Sequence, residues 1–223
     1  MNNSSFNQKV ILRKTSLVDY PEKVAAVLFF PFCNLRCPWC HNRELVLNEI
    51  PEGEKDFIAL NDALMHIEKR RAVLGGVVLS GGEPTLFKDL PLLIKYIKSI
   101  NLAVKLDTNG TNPDMLKMLF SEIETSPDYI ACDLKIAPER YVQLSSGTDA
   151  EKLPVFLTTS VQLIRASGIA HEFRSLNLPS PFWTDADKAA LAPLALDSVW
   201  NFRPFVPGNC LDPEWNNKCN GKN

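Results

Sequence analysis

From residue 24 onward the chain alternates short apolar runs of strand length with amphipathic stretches of helical spacing, and this alternation restricts the fold more than any other feature. VAAVLFF (24–30) opens the series as a continuous apolar run that stops at Pro31, the pattern of a strand buried on both faces. A long polar stretch follows. Then Phe57, Leu60, Leu64, Ile67 and Leu74 recur near helical spacing up to Gly75, which predicts an amphipathic helix. The alternation continues with strands expected at 76–80, 103–108, 129–135, 170–176 and 198–202 and helices at 87–100, 112–123, 156–167 and 184–195. Six strands separated by helices predict an α/β fold with a parallel sheet and right-handed crossovers. Periodicity alone leaves two architectures open, a partial (β/α) barrel and an open doubly wound sheet.

In both architectures the working surface is the edge at the carboxyl ends of the strands. That edge would gather Cys33, Cys37 and Cys40 after the first strand, Gly81, Gly82 and Glu83 after the second, Asp107 and Asn109 after the third, and Asp133 and Lys135 after the fourth. A length of 223 residues with 45% hydrophobic and 22% charged content suits one domain with one core. It is read as an N-terminal extension (1–23), a barrel core (24–203) and a C-terminal tail (204–223), the tail being rich in Pro and Asn without periodicity and expected to lie extended on the barrel or to be disordered at its end.

Charge and targeting signals exclude several functions. The net charge of −2, from 24 basic and 26 acidic residues mixed along the sequence, gives no field for general nucleic-acid binding. No apolar run approaches the roughly 20 residues that span a bilayer, and MNNSSFNQK lacks the apolar stretch of a signal peptide. A cytoplasmic protein without membrane or nucleic-acid partners is expected. Cysteines in that compartment stay reduced, and three of the six fall within eight positions, which points to metal ligation.

In FPFCNLRCPWCHN the spacing Cys-x3-Cys-x2-Cys lets one loop wrap a cluster and supply three thiolates. A structural zinc site would need a fourth ligand, with His41 or a distant cysteine as the alternative. A cluster with one uncoordinated iron instead leaves a position where a small molecule can chelate. The glycines of LSGGEP (79–84) allow close backbone approach to a ligand, and Glu83 is placed to accept a hydrogen bond from an ammonium group. LDTNG (106–110), CDLK (132–135) and EFRSLNLP (172–179) follow or end strands and carry Asp107, Asp133, Lys135 and Arg174 toward a charged ligand. Each of these, taken alone, also reads as a turn, a helix cap or a surface residue. Cys132 reads as a core thiol, and Cys210 and Cys219 fit no cluster pattern.

Cys-x3-Cys-x-aromatic-Cys, with Trp39 as the aromatic, resembles the signature of the radical S-adenosylmethionine (SAM) superfamily. The resemblance implies a partial (β/α)6 TIM-like barrel of parallel strands. It also implies one four-iron, four-sulfur cluster on Cys33, Cys37 and Cys40, whose open iron binds SAM and whose reduction breaks a carbon–sulfur bond to give a 5′-deoxyadenosyl radical. Gly81, Gly82 and Glu83 resemble the family's SAM-ammonium motif, and Trp39, Asp107, Asn109, Asp133, Lys135 and Arg174 are implied SAM contacts. The motifs around Asp107 and Asp133 further resemble glycyl-radical enzyme activases, and in pyruvate formate-lyase activating enzyme the matching residues also hold a monovalent cation, here implied at Asp107, Thr108 and Asp133.

KTSLVDYPEKVAAVLFFPFCNLRCPWCHN looks like the opening of the anaerobic ribonucleoside-triphosphate reductase activating proteins of the longer type. A glycyl radical enzyme is thus the implied protein substrate, with flavodoxin or ferredoxin as electron donor. The alternatives are activation of another glycyl radical enzyme such as pyruvate formate-lyase, radical SAM chemistry on a small molecule or peptide, and a non-catalytic metal-binding protein. The chain departs from its relatives at Glu22 and Phe32, where glycine is common, and at Arg43, where proline is common. A differently shaped backbone near the cysteines is expected in consequence.

Overall fold

The computed structural model describes residues 6–51 and 53–217. Its eight strands are β1 (Lys9–Ser16), β2 (Ala25–Phe30), β3 (Phe57–Ala59), β4 (Gly76–Gly81), β5 (Ala103–Thr108), β6 (Tyr129–Asp133), β7 (Ala170–Asn177) and β8 (Val199–Pro204). They form one sheet in the order β3-β1-β2-β4-β5-β6-β7-β8. The six from β2 to β8 are parallel and match the six expected from the sequence, in a partial (β/α)6 TIM-like barrel. Helices α2 (Leu60–Lys69), α3 (Leu90–Ser99), α4 (Pro113–Leu119), α5 (Leu153–Ala166) and α6 (Asp185–Leu191) connect the parallel strands, and the short α1 (Arg43–Leu47) lies between the cysteine loop and β3. Among the described residues no helix is long and apolar enough to cross a membrane.

Local chemistry sets these boundaries. In α2, Leu60, Ala63, Leu64 and Ile67 are buried at positions i, i+3, i+4 and i+7, a stripe that turns one helix face to the sheet. At the start of α4 the Asn112 side chain accepts from the Met115 N–H at 3.2 Å, and Pro113 occupies the first turn, where its missing N–H is harmless. Helix α6 opens with a capping box in which the Thr184 hydroxyl and Asp187 carboxylate satisfy each other's backbone N–H groups.

Strand alternation sorts the core into two faces. Val77, Leu79, Val104, Leu106, Ile130, Cys132 and Phe173 point outward into the main core beneath the helices. The intervening positions line the concave face, where Val27, Val78 and Ala25 pack with Tyr20 and close the amino-terminal end of the barrel. The same alternation turns Ser80, Lys105, Asp107, Asp133 and Arg174 inward at the other end.

The structure corrects the reading in two places. The segment read as an N-terminal extension contains β1, which pairs antiparallel with β2 and with β3, so the sheet extends beyond the six parallel strands. Phe57 belongs to β3, and the helix begins at Leu60. The described part of the tail lies on the barrel, one of the two readings the sequence leaves open, through a 3₁₀ turn (Pro213–Asn217) that buries Trp215 against Phe182, Phe205 and Trp39. Cys219 lies outside the described residues.

Candidate active site

The cysteine loop is held in shape by its own backbone before anything binds it. The Cys40 N–H donates to the Cys37 carbonyl at 3.0 Å, and the Leu35 N–H points at the Cys33 sulfur at 3.4 Å. Arg36 turns its guanidinium back onto the Cys33 and Leu35 carbonyls at 2.7 and 3.0 Å. From outside, the tail clasps the loop: Leu211 N–H donates to the Cys40 carbonyl at 2.8 Å and Asp212 N–H to the Pro38 carbonyl at 3.0 Å. Trp39 packs on Trp215 with ring centroids 5.3 Å apart.

Cys33, Cys37 and Cys40 all line one cavity of about 410 Å³ together with Trp39, Gly81, Gly82, Glu83, Asp107, Thr108, Asn109, Asp133, Lys135 and Arg174. The carboxyl ends of five strands thus bring every site residue expected from the sequence around a single space. Burial pushes the Cys33 thiol up to about 11, helped by the Glu83 carboxylate, and the Cys37 thiol up to about 12; the Cys40 thiol is raised for the same reason. Such thiols stay protonated at neutral pH until a metal displaces the proton. Among the described residues no group of three His, Cys, Asp or Glu lies close enough to hold a single metal ion. One buried thiol, Cys37, and two half-buried ones, Cys33 and Cys40, opening on one cavity fit a cluster, whose ligands are spread over several irons.

The LSGGEP turn explains its glycines. Gly81 has φ 109, and a Cβ on it would lie 2.5 Å from the Phe30 nitrogen; a Cβ on Gly82 would lie 1.9 Å from the Phe32 carbonyl oxygen. The turn is thereby pressed against the entry to the cysteine loop, and Gly82 N–H to Phe30 O and Glu83 N–H to Phe32 O, both 2.8 Å, tie the two together.

Glu83 is buried and already committed to the protein. Its Oε1 accepts from the Thr85 N–H, the Thr85 hydroxyl and the Thr108 hydroxyl, and its Oε2 from the Asn109 N–H at 2.7 Å. Burial raises the carboxyl above the ordinary range while these donors pull it down. The residue therefore fastens the glycine turn to the LDTNG loop, with acceptor capacity left on Oε2 alone. Asn109 carries the connection onward, donating to Asn34 Oδ1 at 2.9 Å and reaching the Cys33 sulfur at 3.7 Å.

Deeper in the barrel a charged network crosses four strands. Asp107 accepts from Ser80 at 3.0 Å on one oxygen and from the Lys105 ammonium on the other. Asp133 accepts from Arg174 Nε at 2.9 Å and from Lys135 Nζ at 3.2 Å. Arg174 also comes within 3.6 Å of Asp107. Burial alone would raise the Asp133 carboxyl, but the Arg174 and Lys135 cations hold it down at about 2. Burial alone would depress Lys135, and the adjacent Asp133 reverses this and keeps the ammonium charged. Arg174 sits inside β7, which runs on to Asn177, and reaches the network from the concave face.

Three participants escaped the sequence reading. Lys105 and Ser80 face inward beside Asp107, and Lys105 stands two residues before it, a same-face spacing visible in the strand. Asn34 joins the cysteine loop to Asn109 and to the Thr111 hydroxyl, 2.7 Å away, with no sequence signal to mark it. The departures at Glu22 and Phe32 leave the backbone as glycine would: both residues adopt left-handed φ values, 61 and 67. The substitutions add strain and do not reroute the chain.

Comparison with known proteins agrees with this geometry. Residues 27–153 match the Radical SAM superfamily. A Methanocaldococcus jannaschii protein classed as a glycyl-radical enzyme activating enzyme is 30% identical over 203 residues, 90% of this chain and 80% of that protein. The pyruvate formate-lyase-activating enzyme of Listeria monocytogenes is 29% identical over 141 residues, 60% of this chain and 55% of its own length. Among solved structures, native anSMEcpe with bound AdoMet (SAM) superposes with a TM-score of 0.56 at 17% identity, covering 79% of this chain and 50% of that one.

Proposed function

This chain belongs to the radical SAM superfamily, and on that premise we propose that it is a glycyl-radical enzyme activase, taking hydrogen from a backbone glycine of a partner enzyme. The observation that carries the reading is the convergence of Cys33, Cys37 and Cys40 with the glycine turn and the Asp107–Arg174–Asp133–Lys135 network around one cavity. When bound, a reduced four-iron, four-sulfur cluster supplies the electron that breaks a carbon–sulfur bond of SAM, leaving a carbon radical able to abstract hydrogen.

The chain's own residues would then do the following. Cys33, Cys37 and Cys40 would hold the cluster through their thiolates at the barrel mouth. Glu83 keeps the glycine turn and the Asn109 loop in register, so that backbone groups of Gly81 and Gly82 meet the ligand's amino end, with Glu83 Oε2 within the same wall. Arg174 and Lys135 face the ligand's carboxylate, each held charged by Asp133. Trp39, clamped by Trp215, closes one side of the cavity and excludes water. At the rim, His41, Asn42 and Val206 are exposed, a border on which a loop of a protein substrate can settle.

The relative spanning 90% of this chain supports a protein substrate over a small molecule. We take anaerobic ribonucleoside-triphosphate reductase as the first partner, pyruvate formate-lyase as the second, and flavodoxin or ferredoxin as the electron source. The test is anaerobic incubation of reconstituted protein with SAM, reductant and a co-encoded glycyl radical enzyme, read by electron paramagnetic resonance. A glycyl radical signal is expected. Cleavage of SAM without that signal for any such partner would move the reading to a small-molecule or peptide substrate.

A further inference from the structure

We infer that Lys105 is a built-in counter-cation of the SAM pocket: its ammonium fills the position beside Asp107 that a bound monovalent cation would otherwise take, so this chain needs no such ion. Lys105 lies on the concave face of β5, between Val78 of β4 and Tyr129 of β6 in register, and its side chain is only 3% exposed. A lysine so placed is held by a partner, and that partner is Asp107 Oδ1.

The oxygens a cation would need are committed elsewhere. Asp107 Oδ2 accepts from Ser80. Both oxygens of Asp133 are taken, by Arg174 and Lys135. The Thr108 hydroxyl donates to Glu83 and accepts from the Gly110 N–H at 3.1 Å. Arg174 stands 3.6 Å from Asp107 as well, so an added cation would meet two like charges at one carboxylate. Lys105, Arg174 and Lys135 already face Asp107 and Asp133, and Glu172 adds a further carboxylate beside Arg174. Each oxygen of Asp107 and Asp133 already has a protein donor, so neither aspartate presents an uncompensated oxygen to a metal ion. The residues do not fit a monovalent metal ion, and the structure supplies the reason in Lys105.

Lys105 is on this view a positioning residue, acting through Asp107. The inference deepens the reading of the cavity as a SAM site and rests on it only for the consequence in SAM binding. The test compares potassium, sodium and tetramethylammonium chloride at one ionic strength, the last being too large to enter. Two quantities are read: thermal melting of the metal-free chain, and the SAM dissociation constant of the reconstituted protein. For the native chain both should be the same in all three salts. In Lys105→Ala the vacated space leaves Asp107 without its partner, and potassium or sodium should raise the melting temperature over tetramethylammonium and tighten SAM binding by about tenfold.

A native chain that melts higher or binds SAM about tenfold tighter in potassium would overturn the inference, as would a folded Lys105→Ala protein indifferent to every small cation. Should that variant not fold, Lys105→Gln and the native salt series still decide. Failure to bind SAM at all would sink the functional reading, while the melting series on the metal-free chain would still judge Lys105.

Discussion

Gly82→Ala tests whether the glycine turn and the cysteine loop form one rigid unit. A methyl carbon at this position would sit 1.9 Å from the Phe32 carbonyl oxygen and 2.6 Å from its carbon, where contacts under 3.0 Å essentially never occur. Relief requires one strand end to move by about 1.1 Å, the difference between those separations. The neighbouring Gly82-to-Phe30 and Glu83-to-Phe32 hydrogen bonds cannot survive such a shift unchanged, and Cys33 follows Phe32 directly. Losing the two bonds costs about 1–3 kcal/mol of stability. A displacement of ~1 Å at the reacting centre lowers turnover on the order of 100-fold. Iron and sulfide per chain, the melting temperature and the rate of SAM cleavage are the assays. Gly147→Ala is the control, because a Cβ there meets nothing within 4 Å. A Gly82→Ala protein with native iron content, melting temperature and cleavage rate would refute the reasoning.

Three further perturbations follow from the same physical picture. Asp187 is buried and accepts from the Ala137 N–H, Arg140 and Thr184, so Asp187→Ala should cost about 3–5 kcal/mol in denaturant unfolding. Burial alone would raise the Asp187 carboxyl, but those donors depress it below its ordinary 3.8; its contribution is therefore present above pH 3.8 and lost as pH falls below that value, and the variant should show a flatter acid limb. Glu22 holds the left-handed third position of a turn that follows Pro21 and is closed by Lys23 N–H to Tyr20 O, so Glu22→Gly should stabilise by ~1 kcal/mol and raise the melting temperature by a few degrees. Trp215→Ala should destabilise by about 3–5 kcal/mol and, by loosening the strap on Cys40 and Pro38, lower the iron retained after gel filtration; unchanged retention would separate the tail from the cluster loop.

How much could be read from the sequence depended on how each element is buried. The six parallel strands were legible because burial on both faces demands continuous apolar runs, and proline or glycine punctuates their carboxyl ends. The motif loops were legible for the same reason, since each sits directly after such a run. Strand β1 was not, because its burial follows an irregular half-buried pattern among lysines and an arginine. Trp215 reaches the core through a segment with no period to read. Lys105 reads as a surface residue in a strand until the barrel closes around it. By sequence Glu83 reads as an acceptor for a ligand, whereas the four donors from Thr85, Thr108 and Asn109 arise from loops whose meeting only the fold determines.

The measurement that bears most directly on the whole account is anaerobic iron and sulfide analysis with electron paramagnetic resonance of the reduced protein, before and after SAM is added, with Cys37→Ala alongside. The account predicts about four irons and four sulfides per chain and a cluster signal that changes on adding SAM, both lost in the variant. Zinc, or no metal after careful reconstitution, would contradict it and return the cysteine loop to a structural role.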